Sequence, residues 1–380
     1  MKVALAFPGC HRRGGVERIM MECARYLATK QHDITIFASD WEDLNQPNVH
    51  YHRVPMRRRP AFLQGPSFFK ACTRELAGAH YDVLNIHGCI CPTGGVHWVQ
   101  SVHRAWLERA KTLRKPLSLA RLKQRLNPLH PLLLRLEEEH FRRRKFQRLI
   151  ATTSDVRDDL HRLYDVPREL IDIVPNGFNP AEFNPERRRR ERPEMRKQLG
   201  LHPEDIVLLL VANELDRKGY RTILSAMREL QQKPLRLIVC GRPDPAAVKS
   251  LAAEYGQADQ VIAFGPSRDV ALLHAAADLF VLPTQYEAFC LAILEALGSG
   301  LPVVTSHVPG AYDAIREGVN GYLVHDPKDG LELAQVLSPL LDPQRLAALS
   351  AATPATAVAY QWPVVLQKYE AILERYRNPS

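Results

Sequence analysis

Two carboxylates and two cations carry the most chemistry in this 380-residue chain. Glu287 and Glu295 stand eight residues apart in Glu287-Ala288-Phe289-Cys290-Leu291-Ala292-Ile293-Leu294-Glu295-Ala296-Leu297-Gly298-Ser299-Gly300. The apolar run ending at Leu282 reads as a strand. A helix is expected to begin just after Glu287 and to end at the glycines 298–300. The free N–H groups at a helix start, and its dipole, favour a negative ligand. Glu287 would reach one end of an elongated ligand, and Glu295, about two turns on, another part of it. A diphosphate flanked by two sugars fits that span, because paired hydroxyls are good carboxylate partners. Two glutamates at this spacing are also common on any exposed helix, so the spacing alone leaves both readings open. Arg217 and Lys218 fall on a loop after the predicted strand Ile206–Ala212. There they would neutralise a departing diphosphate, and stabilising charge as it develops is usually the largest catalytic contribution. An ordinary exposed turn is the alternative for that pair.

These side chains need a scaffold, and the chain is long enough for two domains of about 150–200 residues. Its mass is 43.1 kDa. Hydrophobic residues make up 46% and charged residues 24%, which excludes a disordered or fibrous chain. No run approaches the roughly 18 apolar residues of a membrane span. Met1–Phe7 stops at Pro8-Gly9, too short for a signal-peptide core, and reads as a first buried strand. The seven cysteines stand at 10, 23, 72, 89, 91, 240 and 290, with no Cys-x-x-Cys. A disulfide framework or zinc site is not expected, and a reducing cytoplasm fits best.

Buried strands alternate with helices along the first half. Val3–Phe7, Asp33–Ala38, Tyr81–His87 and Val96–Val102 read as strands, and Val16–Leu27 as a helix after the turn Gly14-Gly15. Residues 105–148 are leucine-rich and basic, with Pro116, Pro128 and Pro131 breaking them into short helices. Such a stretch either lies on an anionic membrane surface or packs on its own domain. Pro185-Glu186 and the run Arg187–Arg190 read as a polar linker. A second series follows, with strands at Ile206–Ala212, Leu235–Cys240, Gln260–Phe264, Leu279–Leu282, Pro302–Ser306 and Gly321–Val324. Two such series make an α/β chain of two Rossmann-like domains with a cleft between them. The net charge of +9 is uneven: residues 201–380 carry 15 basic and 20 acidic groups, so the excess sits in the first 200 residues. That half either faces something anionic or is a solvated basic surface. Nucleic acid is a weak candidate, because no binding motif or aromatic interleaving accompanies the basic residues.

The motif Glu-Ala-Phe-Cys-Leu-x-x-Leu-Glu-Ala-Leu-x-Ser-Gly-Leu-Pro-Val-Val resembles the signature of retaining GT-B glycosyltransferases of family 4. Gly14-Gly15-Val16-Glu17-Arg18 resembles their N-terminal glycine loop. Val174-Pro175-Asn176-Gly177-Phe178 with Phe183-Asn184-Pro185 resembles their interdomain stretch. Arg217-Lys218-Gly219-Tyr220 resembles their basic loop, and Gly310 through Gly321 the segment after the signature. Gln361-Trp362-Pro363 with a final helix resembles their C-terminal tail. Within the family the chain looks most similar to bacterial lipopolysaccharide-core glucosyltransferases, and less to phosphatidylinositol mannosyltransferases.

The resemblance implies two Rossmann-like domains facing across a cleft. Residues 1–175 with the crossing-back helix 362–380 would bind acceptor, and residues 176–361 the nucleotide sugar. It implies hexosyl transfer with retention from a nucleotide-diphosphate donor, UDP-sugar favoured, to a hydroxyl acceptor in cell-envelope glycan or glycolipid synthesis. Glu295 would hold ribose hydroxyls and Glu287 the sugar or diphosphate. The amides of Phe289, Cys290 and Leu291 would meet sugar and phosphates, and Gly15 would let backbone approach the diphosphate. Arg242 and Phe264 would line the base pocket. His103, read at a strand end, would lie near sugar and acceptor; His87 is a weaker candidate. No metal or other cofactor is implied. The place of action would be cytoplasmic, with possible peripheral contact with anionic membrane and a lipid-linked or anionic acceptor. Two departures stand out: Ala212-Asn213 replaces a common Gly-Arg pair, and Cys290 replaces a usual Gly, whose added Cβ would narrow the donor pocket. A nucleotide-sugar epimerase on the same fold, a transferase acting on a soluble small molecule, and a non-catalytic sugar-nucleotide binder are the other readings. The retained Arg217, Lys218, Glu287 and Glu295 argue against the last.

Overall fold

The computed structural model describes residues 1–113, 126–231 and 233–378. The leucine-rich basic stretch at 114–125, with Pro116, Leu117, Leu119 and Leu122, lies outside the described residues. The chain folds as two compact units, Met1–Asn176 with Pro363–Ser380, and Gly177–Trp362.

The first unit holds β1 (Lys2–Ala6), β2 (Gly9–Cys10), α1 (Gly15–Thr29), β3 (Asp33–Ala38), β4 (Asp40–Trp41), β5 (Val49–Arg53), α2 (Gln64–Ala77), β6 (Val83–His87), β7 (Val96–Val99), α3 (His103–Leu113), α4 (Leu129–Glu137), β8 (Arg148–Ala151), α5 (Ser154–Tyr164) and β9 (Ile171–Ile173). Seven strands form one sheet in the order β5-β3-β1-β6-β7-β8-β9, and β2 pairs with β4 beside it. Neighbouring strands of the seven-stranded sheet all run parallel. Parallel strands are covered on both faces, so they read as continuous apolar runs; Val3, Ala4, Leu5 and Ala6 are all buried. α1 buries Ile19, Met20, Cys23 and Leu27, the spacing of one helix face.

The second unit holds α6 (Pro185–Gln198), β10 (Ile206–Val211), α7 (Tyr220–Glu229), β11 (Leu235–Cys240), α8 (Pro245–Glu254), β12 (Val261–Gly265), α9 (Ala271–Ala276), β13 (Leu279–Leu282), α10 (Leu291–Gly298), β14 (Val303–Ser306), α11 (Ala311–Ala314), β15 (Gly321–Val324), α12 (Gly330–Leu337) and α13 (Pro343–Ala357). Its sheet is parallel, in the order β12-β11-β10-β13-β14-β15. The chain starts in the middle at β10, runs out to β12, then returns to β13 on β10's other side. The order therefore reverses between β10 and β13, which opens a crevice outside the carboxyl ends of those two strands.

Residues 187–190 are not a linker. Asn184 caps α6 by accepting a hydrogen bond from the Arg187 amide at 2.8 Å, and Pro185 takes the first turn, where its missing N–H costs nothing. Arg188, Arg192 and Arg196 recur every four residues and so share one face. They donate to the carbonyls of Ala275, Ala276 and Ala277 at the end of α9 at 2.9–3.3 Å. A helix end leaves such carbonyls unsatisfied and partly negative. Arg188 of the run, with Arg192 and Arg196 beyond it, thus caps a helix, a role that charge density alone does not separate from a solvated linker.

The final helix, α14 (Trp362–Arg375), belongs from Pro363 onward to the first unit. Its Tyr369 is fully buried, stacks near Trp98 at 5.1 Å, and donates to Asn85 Oδ1 at 2.9 Å. Asn85 in turn donates to the Val96 carbonyl at 3.0 Å. Tyr369→Phe would leave the Asn85 oxygen buried without a donor. It is expected to cost about 1–3 kcal/mol in urea unfolding.

Candidate active site

The loops that follow β10 and β13 are zipped together. The Gln285 amide donates to the Arg217 carbonyl at 2.9 Å, and Gln285 Nε2 donates to the Asp216 carbonyl at 2.8 Å. Gly219 adopts φ +77°, and a Cβ there would sit 2.1 Å from the Pro283 carbonyl oxygen. Only glycine allows both that conformation and that approach. Behind the loop, Ser306 Oγ donates to the Thr284 carbonyl at 2.6 Å and Thr305 Oγ1 to the Leu282 carbonyl at 2.7 Å. The polar residues that end β14 thus hold the segment that carries Glu287.

This arrangement brings Arg217, Lys218 and Glu287 together. Arg217 Nη1 donates to Glu287 Oε1 at 2.6 Å and to the Tyr286 carbonyl at 2.7 Å. Lys218 Nζ pairs with the same carboxylate oxygen and lies 3.7 Å from Cys290 Sγ. Thr284 Oγ1 lies 3.4 Å from that oxygen too. Burial pushes the Glu287 carboxyl up, but the Lys218 and Arg217 charges outweigh it and hold the pKa below the ordinary value. Burial works against the Lys218 ammonium, yet the Cys290 sulfur and the Glu287 carboxylate hold its pKa above the ordinary value. Burial raises the Cys290 pKa against the lowering effect of Lys218, so Cys290 is a neutral thiol at pH 7. Exposed Glu214 lies 3.3 Å from the other arm of Arg217, so inside the cluster two cations share the one carboxylate of Glu287, an arrangement suited to an anionic ligand.

The helix after Glu287 starts later than the sequence pattern predicts. α10 begins at Leu291, after Cys290 in an extended conformation. Phe289 explains the delay: it is buried, its ring lies 6.1 Å from Tyr360, and Gly310 packs against it so closely that a Cβ there would come within 2.6 Å of the ring. Packing of Phe289 therefore holds 288–290 out of the helix. The Phe289, Cys290 and Leu291 amides stand at the helix start, where no side chain makes a capping hydrogen bond. Glu295 lies within α10 and is 4% exposed. Arg242 follows β11, and its amide donates to Asn213 Oδ1 at 3.2 Å. Phe264 in β12 is 39% exposed, one of few large apolar side chains so placed among the described residues.

In the first unit, Gly14 is the N-cap of α1 and Gly15 its first residue. A Cβ on Gly15 would meet nothing within 4 Å, so the chain's own packing does not require glycine there. His103 is not at a strand end: β7 stops at Val99, and His103 opens α3. Glu137, which sequence reasoning missed, fixes it there. One Glu137 oxygen accepts from the His103 amide at 2.5 Å, the other from the Arg104 amide at 3.1 Å and from Tyr164 Oη at 2.6 Å. A carboxylate at a helix N-terminus satisfies orphan donors and the dipole together, but no local spacing announces a cap from 34 residues away. His103 Nε2 lies 3.1 Å from His130 Nδ1. Burial, with the His130 charge, pushes the His103 pKa down to about 4. His87 is fully buried, both ring nitrogens lack partners, and burial pushes its pKa down to about 3. Among the described residues one group could hold a cation: His32, Glu370 and Glu374 in the first unit. His32 Nε2 is already 2.8 Å from Glu370 Oε1.

The pKa directions fix a pH window. Glu287 has a folded pKa below its unfolded value of 4.5, so its stabilisation is complete above that pH and is lost as pH falls through the folded pKa. Lys218 has a folded pKa above 10.5, so its stabilisation is complete below that value and is lost as pH rises through the folded pKa. Glu287→Gln is expected to cost about 3 kcal/mol at neutral pH, because it leaves buried Lys218 without a carboxylate and Arg217 with only the exposed Glu214. It should also flatten the acid limb of stability against pH in urea titrations.

Known proteins match this chain along nearly its whole length. A family model described as Glycosyltransferase Family 4 matches residues 13–182, and one described as Glycosyl transferases group 1 matches residues 191–353. A D-inositol 3-phosphate glycosyltransferase of Thermobispora bispora is 31% identical, over 97% of this chain and 92% of that protein. One from Rhodococcus erythropolis is 28% identical, over 99% of this chain and 89% of that protein. Among solved structures, WaaG, a glycosyltransferase involved in lipopolysaccharide biosynthesis, superposes with a TM-score of 0.83 at 23% identity, covering 98% of this chain and 99% of that one. HepE of Anabaena, in complex with UDP and glucose, gives 0.75 at 17%, covering 98% and 99%. These structures share the two parallel-sheet Rossmann-like domains of the GT-B fold. Among the described residues, no helix is long and apolar enough to cross a membrane. On this likeness the chain belongs to glycosyltransferase family 4, with a group 1 transferase domain in its second half, and is a glycosyltransferase.

Proposed function

We propose that this enzyme transfers a hexose, with retention at the anomeric carbon, from a UDP-sugar to a hydroxyl acceptor. The observation that carries the reading is the Arg217–Lys218–Glu287 cluster, two cations on one largely buried carboxylate, at the carboxyl edge of a parallel sheet. As the glycosidic bond breaks, negative charge develops on the diphosphate, and preorganised cations beside it stabilise that charge. Glu287 holds both cations in place before substrate arrives, and the amides of Phe289, Cys290 and Leu291 contribute further donors. Glu295 binds the ribose and Phe264 stacks on the base, with Arg242 beside it. The open space at Gly15 admits a ligand against backbone. His103, uncharged at neutral pH, accepts or donates a hydrogen bond to a sugar hydroxyl rather than presenting a charge. These groups supply the electrostatics that a metal supplies elsewhere, so no cofactor is required in the reading. The likeness to HepE, solved with UDP and glucose, supports a uridine donor.

Two acceptor classes have support. The names of relatives at about 30% identity over nearly the whole chain favour a soluble phosphorylated polyol such as an inositol phosphate. The basic first 200 residues favour an anionic acceptor in either case, and leave a lipid-linked cell-envelope glycan, worked on at the inner membrane face, as the second reading. The test is turnover of UDP-glucose with inositol 3-phosphate and, separately, with a lipopolysaccharide-core glycan, following UDP release and product anomer by NMR. UDP release that depends on one acceptor and gives an α-linked product is expected. Sugar release without acceptor would favour the epimerase alternative. Lys218→Ala should lower kcat/KM by about 100-fold or more; unchanged turnover would remove Lys218 from the site.

A further inference from the structure

A cavity of about 580 Å³ opens at the other edge of the second unit's sheet. Ile206, which opens β10, and Asp278, just before β13, line it. Lys218 and Glu287 follow those same strands, so the two places lie at opposite strand ends. Arg188, Arg189 and Arg192 of α6 form one wall.

The charges of this cavity do not pair off evenly. Asp278 is engaged by Arg192 at 2.5 Å and Arg196 at 3.3 Å. Asp205 is engaged by Arg236 at 3.4 Å. Arg188 has only neutral partners: the Gly300 carbonyl at 3.2 Å, Ser350 Oγ at 2.9 Å and the Ala277 carbonyl at 2.9 Å. Its Nε is buried with no acceptor. Carbonyls satisfy N–H groups but do not neutralise a buried charge, and burying an unneutralised charge is costly. Burial and the neighbouring Arg192 charge push the Arg188 pKa down, the more distant Asp278 charge holds it up, and it rests at about 10, so Arg188 stays charged at neutral pH. Arg189, the next residue, is exposed and has no carboxylate partner among the described residues. Glu204 at the rim is the one lining carboxylate without an ion pair among them.

We propose that this cavity is a binding site for a small phosphate-bearing anion, held by the guanidinium groups of Arg188 and Arg189. Guanidinium forks match phosphate oxygens in geometry as well as charge. The volume exceeds that of a phosphate alone and suits a small phosphate monoester. No histidine or cysteine lines the cavity, and its one hydroxyl, Ser350 Oγ, donates to the Gly300 carbonyl at 2.6 Å and accepts from Arg188, so it is a ligand site rather than a second reaction centre. The inference stands apart from the donor reading, because no lining residue belongs to the Lys218–Glu287 cluster.

The test is calorimetric titration of the full chain, at constant ionic strength, with sodium phosphate, glucose 6-phosphate, glucose and citrate. Phosphate and glucose 6-phosphate should bind and glucose should not. Arg189→Ala should weaken that binding by roughly fivefold. Ala347→Glu, on the exposed cavity wall, should weaken it through like charge, and Lys218→Ala should leave it unchanged. Arg188 is spared, since its loss would uncap Ala277 and Gly300. No binding of either phosphate probe up to about 10 mM would overturn the proposal. So would binding that survives Arg189→Ala and Ala347→Glu but is lost in Lys218→Ala, which puts the anion at the donor cluster. Citrate binding as tight as that of glucose 6-phosphate would overturn the assignment to phosphate.

Discussion

One carboxylate oxygen of Glu287 meets both the Arg217 guanidinium and the Lys218 ammonium, and the second unit's working edge is organised around that contact. Buried ions are tolerated only when paired, and removing one member strands the others. The two loops carrying these groups must therefore stay in register. Their register comes from the sheet, because β10 and β13 are neighbours, and from Gly219, which lets one loop touch the other at Pro283. The contact also sets the local charge. Glu287 fixes the positions of both cations, and the second carboxylate on Arg217, Glu214, is solvent-exposed, so both cations are already in place when an anion arrives. Preorganisation of this kind is what makes electrostatic stabilisation effective.

Cys290 bears on the same point. Its sulfur lies 3.7 Å from Lys218 Nζ, in space that glycine would leave empty. A neutral thiol there adds a weak acceptor and bulk but no charge. The residue that departs from the family's usual glycine thus packs against the ammonium.

Much of this was legible in the sequence because it depends on local patterns. Continuous apolar runs between helices mark buried parallel strands, and the alternation repeats on both sides of the chain's middle. Arg217 and Lys218 stand on the loop that follows a strand, where open sheets place ligands. What escaped depends on tertiary contact. Phe289 delays α10 because it packs against Gly310 and Tyr360, which lie far along the chain. Glu137 caps α3 from the end of another helix. Arg188 and Arg192 look like part of a solvated run until the carbonyls that end α9 are seen beside their helix. Arginine thus has separate jobs at the two edges of one sheet. At the carboxyl edge it shares a carboxylate with a lysine, and at the amino edge it closes a helix end.

The central claim is that the Arg217–Lys218–Glu287 cluster holds a nucleoside diphosphate. Calorimetric titration of uridine, UMP and UDP against the wild type and Lys218→Ala tests it most directly. The account predicts that affinity rises with each phosphate, and that UDP loses about tenfold or more in the variant while uridine is unaffected. Equal affinity of UDP and uridine, or UDP binding unchanged by Lys218→Ala, would contradict it.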